Sequence, residues 1–217
     1  MKKIRMLSLV MMVILLGGCV MGQGPVSEKY TGNKIPNTRA FQDEFTREFI
    51  ESPKEVQEGY YRFKSRTGGY SMLFPKEAMV SDVGYEKNGD FFETLSFGEQ
   101  VKAENLSFYY KMTFEDRTKT NDIDINLTLL SEYAGYEGEY ESFEHEGKTY
   151  YYAKDTSTED EVTYYSFFSY IKPKNSDKAL SFFVDSTCTK QSQECNLKPD
   201  ELEEKFLSIM KSVNFSE

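Results

Sequence analysis

One histidine, three cysteines and 16 tyrosines are the chemically distinctive side chains of this 217-residue chain. His145 lies between Glu144 and Glu146. A hydrolytic Ser-His-Asp or Cys-His set needs an imidazole oriented by a second group and aimed at a nucleophile; His145 reads instead as a solvated turn residue. The chain has no G-x-S-x-G, phosphate loop, dinucleotide fingerprint or H-E-x-x-H. The sequence therefore predicts no catalytic residue, no cofactor and no enzyme. Asp122-x-Asp124-x-Asn126 opens like a calcium loop but fails, because Leu127 stands where glycine is needed and Tyr133 where a bidentate glutamate is needed. No metal site is expected. Tyrosines recur in runs: Tyr60-Tyr61, Tyr109-Tyr110, Tyr150-Tyr151-Tyr152 and Tyr164-Tyr165. Consecutive strand residues face opposite ways, so one member of each pair points away from the core. Tyr109, Tyr151 and Tyr165 are thus candidates for an aromatic surface that takes a peptide, a glycan or a partner protein. The competing reading is that a helix covers that second face and the tyrosines bridge core and water.

The N-terminus carries a second kind of chemistry. Met1-Lys-Lys-Ile-Arg5 is basic, Met6 to Leu16 is apolar except for Ser8, and Gly17-Gly18-Cys19 closes the segment. That apolar run is well short of the ~20 residues that cross a bilayer as a helix, and the arrangement reads as a secretory signal. Leu16-Gly17-Gly18-Cys19 resembles the lipobox of bacterial lipoproteins. The resemblance implies cleavage before Cys19, a diacylglyceryl group on its thiol, and a product on the extracytoplasmic face of the cell membrane. Two or more acyl chains, at ~0.8 kcal/mol per buried methylene, hold a soluble domain durably. Removing residues 1–18 takes away Lys2, Lys3 and Arg5 and leaves a net charge of −13. Such a domain is repelled by anionic lipid and should stand off the surface. Gly22, Gly24, Pro25, Gly32 and Pro36 suit residues 19–40 to a lipid-anchored flexible tether.

With Cys19 lipidated, Cys188 and Cys195 remain, an even number in an exported protein. Six polar residues separate them, and the expectation is a disulfide closing that loop, worth roughly 2.5 kcal/mol by loop-closure entropy. Two free thiols and a metal site are the rival readings.

These groups must be positioned by a folded domain over residues 41–217. Phe41, Phe45, Phe49 and Ile50 have helical spacing, with Pro53 ending a short helix. Strands are predicted at 60–64, 70–74, 91–97, 140–144, 148–154, 162–171 and 179–185. The clearest alternation sets Leu106, Phe108, Tyr110, Met112 and Phe114 against Ser107, Tyr109, Lys111, Thr113 and Glu115, so one face of that strand is core. Leu127, Leu130 and Tyr133 favour a helix over 124–134. Pro199 opens a helix whose stripe is Leu202, Phe206, Ile209, Met210 and Val213. Hairpins with segregated helices predict an α+β fold built on a mostly antiparallel sheet flanked by a few helices.

Composition narrows the function further. Against 36 Asp+Glu there are 26 Lys+Arg, giving −10 overall and a pI near 4.8, which excludes a phosphate-binding nucleic-acid partner. A mean hydropathy of −0.60 excludes a polytopic membrane protein, and 17 Phe with 16 Tyr exclude a disordered chain.

Gly69, Tyr70, Phe74, Pro75 and Lys76 in an opening strand, a later antiparallel meander and a closing amphipathic helix resemble PsbP/Mog1-like domains, over about residues 58–216. That resemblance implies an α/β/α sandwich and supplies no catalytic residues. The chain is also similar to small Gram-positive lipoproteins of the YvcA type, a type linked to colony architecture. The expected role is a non-enzymatic binding or assembly module of the cell envelope. The alternative is a small-solute or cation-binding lipoprotein associated with a transporter.

Overall fold

The computed structural model describes residues 35–159, 162–188 and 198–217. The signal segment, Cys19, most of the tether and Cys195 lie outside these residues.

The chain enters through two single-turn helices, α1 (Arg39–Gln42) and α2 (Glu44–Arg47), where the sequence predicts one. Asp43 divides them: its backbone is extended (φ −87°, ψ 124°), and its carboxylate accepts the Thr46 N–H at 2.7 Å and hydroxyl at 2.6 Å. A capping carboxylate is stronger here than the apolar periodicity. Ala40 and Phe41 are fully buried, and the Ala40 N–H donates to Lys76 O. The folded part thus begins before the expected boundary at residue 41.

Two antiparallel sheets follow. β1 (Tyr60–Lys64) and β2 (Tyr70–Pro75) form a hairpin as expected. Gly69 in its turn lies directly over the Phe114 ring, where a Cβ would collide. β3 (Ala78–Val80), β4 (Glu86–Asn88), β5 (Phe92–Val101) and β6 (Leu106–Asp116) come next. After helix α3 (Ile123–Ala134) come β7 (Glu141–His145), β8 (Lys148–Glu159), β9 (Val162–Pro173) and β10 (Lys178–Cys188). Helix α4 (Pro199–Lys211) and a two-residue strand, β11 (Asn214–Phe215), end the chain. The small sheet has the order β1-β2-β11. The large one has eight strands, β3-β5-β6-β10-β9-β8-β7, with β4 also on β5.

The inner face of the large sheet carries Phe108, Tyr110, Met112 and Phe114 of β6, all buried. Rings from the small sheet meet it: Tyr70 on Phe114 at 5.3 Å and Phe74 on Phe97 at 4.9 Å. Helix α4 completes this layer. Its Phe206 lies 5.4, 5.8 and 5.3 Å from the rings of Phe108, Tyr110 and Phe167, and Leu202, Ile209 and Met210 are buried beside it. A polar contact fixes the helix in register: Glu99 Oε2 accepts from Lys205 Nζ and from the Tyr110 hydroxyl, both at 2.9 Å. Burial and the neighbouring carboxylate push the Tyr110 phenol well above its ordinary range. The chemistry of this cluster is structural.

The outer face is covered by α3. Asp122 caps the helix by accepting the Ile125 N–H at 3.3 Å, and Gly135 ends it in a left-handed conformation (φ +66°). Leu130 is buried, with Ile123, Leu127 and Ala134 packed beside it on Ala153, Phe168, Tyr170, Ala179 and Phe183. The result is an α+β sandwich with α3 outside the large sheet and the small sheet and α4 inside, as expected.

Candidate functional site

The pairing register decides where each tyrosine points. Tyr109 on β6 stands opposite Gly98 of β5 and Asp185 of β10, on the outer face. Tyr151 on β8 stands opposite Tyr170 of β9, also on the outer face but three strands from β6, and packs against the α3 cluster. Tyr165 is paired with Ser186, which in turn is paired with Phe108. It therefore lies on the inner face. The expected surface of Tyr109, Tyr151 and Tyr165 is not one surface: a single position of parity sends Tyr165 to the opposite side, and α3 separates the other two.

Tyr109 instead finds a partner that periodicity obscured. Tyr133 of α3, expected on the core-facing stripe, is half exposed (50 %). Its ring meets Phe183 edge-on at 5.1 Å, and its phenol lies beside that of Tyr109. Burial first, then Tyr109 and Asp185, push the Tyr133 phenol upward. On the same line of the helix, Leu129 is 58 % exposed and Ile125 57 % exposed, and Tyr109 itself is 44 % exposed. Positions 125, 129 and 133 are spaced i, i+4, i+8 and form one stripe. The outer side of α3 and the neighbouring part of β6 therefore present four large apolar or aromatic groups to solvent. Beside the stripe runs a second exposed row, Asp124, Thr128 and Glu132. The spacing of Ile125, Leu129 and Tyr133 at i, i+4 and i+8 was the signal for this face; grouping Tyr133 with Leu127 and Leu130 hid it.

The other chemical candidates have structural roles. Asp122 and Asn126 serve the helix start: Asn126 Nδ2 donates to Asp122 O at 2.7 Å and to Lys119 O at 3.0 Å. His145 ends β7, with Nε2 4.0 Å from Glu146. Asp185 accepts from the Ser166 hydroxyl, and burial holds its carboxyl above the ordinary 3.8. Buried Glu93 accepts the Arg66 N–H at 2.9 Å and the Tyr85 hydroxyl at 3.1 Å, while the Arg66 guanidinium stacks on Phe45, Phe49 and Tyr85. Among the described residues no three His, Cys, Asp or Glu side chains come together as a metal site, and no helix is long and apolar enough to cross a membrane.

An α+β sandwich with one apolar–aromatic helix face exposed is the class these features define. Residues 36–214 match the family described as "Putative lipoprotein YvcA", and the chain belongs to that family. It is 27 % identical to the protein of that name from Bacillus subtilis (strain 168), over 99 % of this chain and 97 % of the relative. Among solved structures it is similar to the Saccharomyces cerevisiae Ran-binding protein Mog1p (TM-score 0.43, 10 % identity, 71 % of this chain and 94 % of that one). It is also similar to the cyanobacterial PsbP of Synechocystis sp. PCC 6803 (TM-score 0.35, 11 % identity, 76 % and 98 %).

Proposed function

We propose that the protein is exported, cleaved before Cys19 and held by lipid on that residue at the extracytoplasmic face of the cell membrane. There it acts as a non-enzymatic binding or assembly module of the envelope. Membership of a lipoprotein family and the Leu16-Gly17-Gly18-Cys19 tetrad support the anchor, and the similarity to the Bacillus relative spans nearly the whole chain, including this segment. One observation carries the binding role: Ile125, Leu129 and Tyr133 stand more or less half exposed in one line beside Tyr109. Contiguous apolar surface of this kind on a folded chain marks an interaction site.

The anchor is tested by Cys19→Ala. The expected outcome is loss of the protein from the membrane fraction and absence of an acylated N-terminal cysteine by mass spectrometry; an unaltered membrane fraction overturns it. The face is tested by Ile125→Ser with Leu129→Ser in the anchored protein. That variant should fold with an unchanged melting temperature yet reproduce the envelope or colony phenotype of Cys19→Ala. A wild-type phenotype would remove the binding role from this face. The loop after β10 is closed, in the same proposal, by a Cys188–Cys195 disulfide. Thiol alkylation without reductant should leave both residues unlabelled, and reduction should cost roughly 2.5 kcal/mol of stability.

A further inference from the structure

We infer that the partner seated on the Ile125–Leu129–Tyr133–Tyr109 face is a cationic amphipathic segment of another protein, with an apolar stripe bordered by Lys or Arg. The inference rests on the proposal that this face binds. The length of the stripe is suited to a helix: eight residues at ~1.5 Å rise place Ile125 and Tyr133 roughly 12 Å apart, about two turns of a facing helix. Its borders are acidic. Helix α3 contains no Lys or Arg, Asp122 caps its start, and the exposed row beside the stripe holds Asp124 and Glu132. Asp185 faces Tyr109 across the strand pair. Lys111, two residues from Tyr109 on the same face, and Lys119, just before α3 and already paired with Glu115 at 2.8 Å, are cations set against these four acids.

The same charges argue against the two other occupants. In a second copy of the chain packed antiparallel about Leu129, Asp124 of one helix would lie near Glu132 of the other; in a parallel pair, each acid would meet its own twin. Both arrangements bring together like charges, at a cost similar in size to what an opposite pair contributes. An anionic lipid surface is repelled by the same acids and by the −13 net charge of the chain from Cys19 onward. A basic segment pairs with Asp124 and Glu132 while its apolar residues cover Ile125, Leu129 and the two tyrosines, as in helix-in-groove recognition.

The test has two arms, both on the full lipidated chain. In cells, a photoreactive phenylalanine replaces Leu129, and the crosslinked segment is sequenced. In phosphatidylcholine nanodiscs, with empty discs as the baseline, two helical peptides of equal length and identical Leu/Ile stripe are titrated, one bordered by Lys and one by Glu. The expected results are a crosslink to a basic amphipathic segment and about fivefold tighter binding of the Lys peptide at low salt, a preference that shrinks as salt is raised. Asp124→Asn with Glu132→Gln should abolish that preference, and Tyr165→Ala, on the inner face, should leave it intact. Equal affinity for the two peptides, a crosslink to α3 of a second copy, or a crosslink to lipid alone overturns the inference and leaves open that the face binds something else. No crosslink at position 129 together with no binding of either peptide overturns the binding proposal itself.

Discussion

Asp185 is the residue at which the environment of the outer face can be read by titration. Burial raises its carboxyl above the ordinary 3.8, with the Ser166 hydroxyl pulling the other way. A raised carboxylate favours folding in its protonated form. Its contribution is therefore complete below pH 3.8 and is lost as pH rises through the folded-state value. Asp185→Asn should raise the melting temperature at pH 7 relative to the parent chain, and the gain should vanish as pH is lowered through that window. A gain independent of pH would mean that burial of the charge is not the cause. The tyrosines nearby show what a sequence conceals at this scale. That one of two adjacent tyrosines leaves the core follows from strand geometry alone; that Tyr165 and Tyr109 leave on opposite sides depends on the register across β9, β10 and β6. Register is a property of pairing, and a single strand does not contain it.

Among the elements, those with a strong intrinsic period were legible and those held only by partners were not. β6 alternates over its whole length, and α4 carries a proline in its first turn and an apolar stripe, so both fall where the residues predict. β3 and β4 have three residues each and β11 two; they are strands because β5 and β2 supply the hydrogen bonds. The entry helix was over-read because Asp43 terminates one turn and caps the next. The exposed face was half legible: Tyr109 was singled out, but its neighbours lie on α3, a helix whose buried residue is Leu130 rather than Tyr133. The energetic weight of α4 can be checked directly. Phe206 is fully buried among three rings, so Phe206→Ala should cost about 3–5 kcal/mol in chemical denaturation. A loss below about 1 kcal/mol would mean that the helix is not part of the cooperative core.

For the molecule as a whole, 36 acidic against 26 basic residues means that the folded state carries net self-repulsion. Raising NaCl from low to physiological concentration should therefore increase the melting temperature, since screening over ~8 Å relieves repulsion between surface acids. A fall would mean that ion pairs such as Lys205–Glu99 outweigh it. One further consequence belongs to the entry of the chain. The first described turns are stitched to the rest by the Ala40–Lys76 bond just ahead of β3, a 3.2 Å contact between the Thr38 and Tyr61 hydroxyls on β1, and Arg39 on Gln100 of β5, the strand with which β3 pairs. Helix α3 rests on strands farther along, β8 to β10. If the chain is anchored at Cys19 as proposed, a pull applied ahead of residue 35 would strain those three stitches and the short β3 ladder first. The stripe proposed to hold a partner would keep its seat while the margin yields, like a mooring whose cleat gives before its hook.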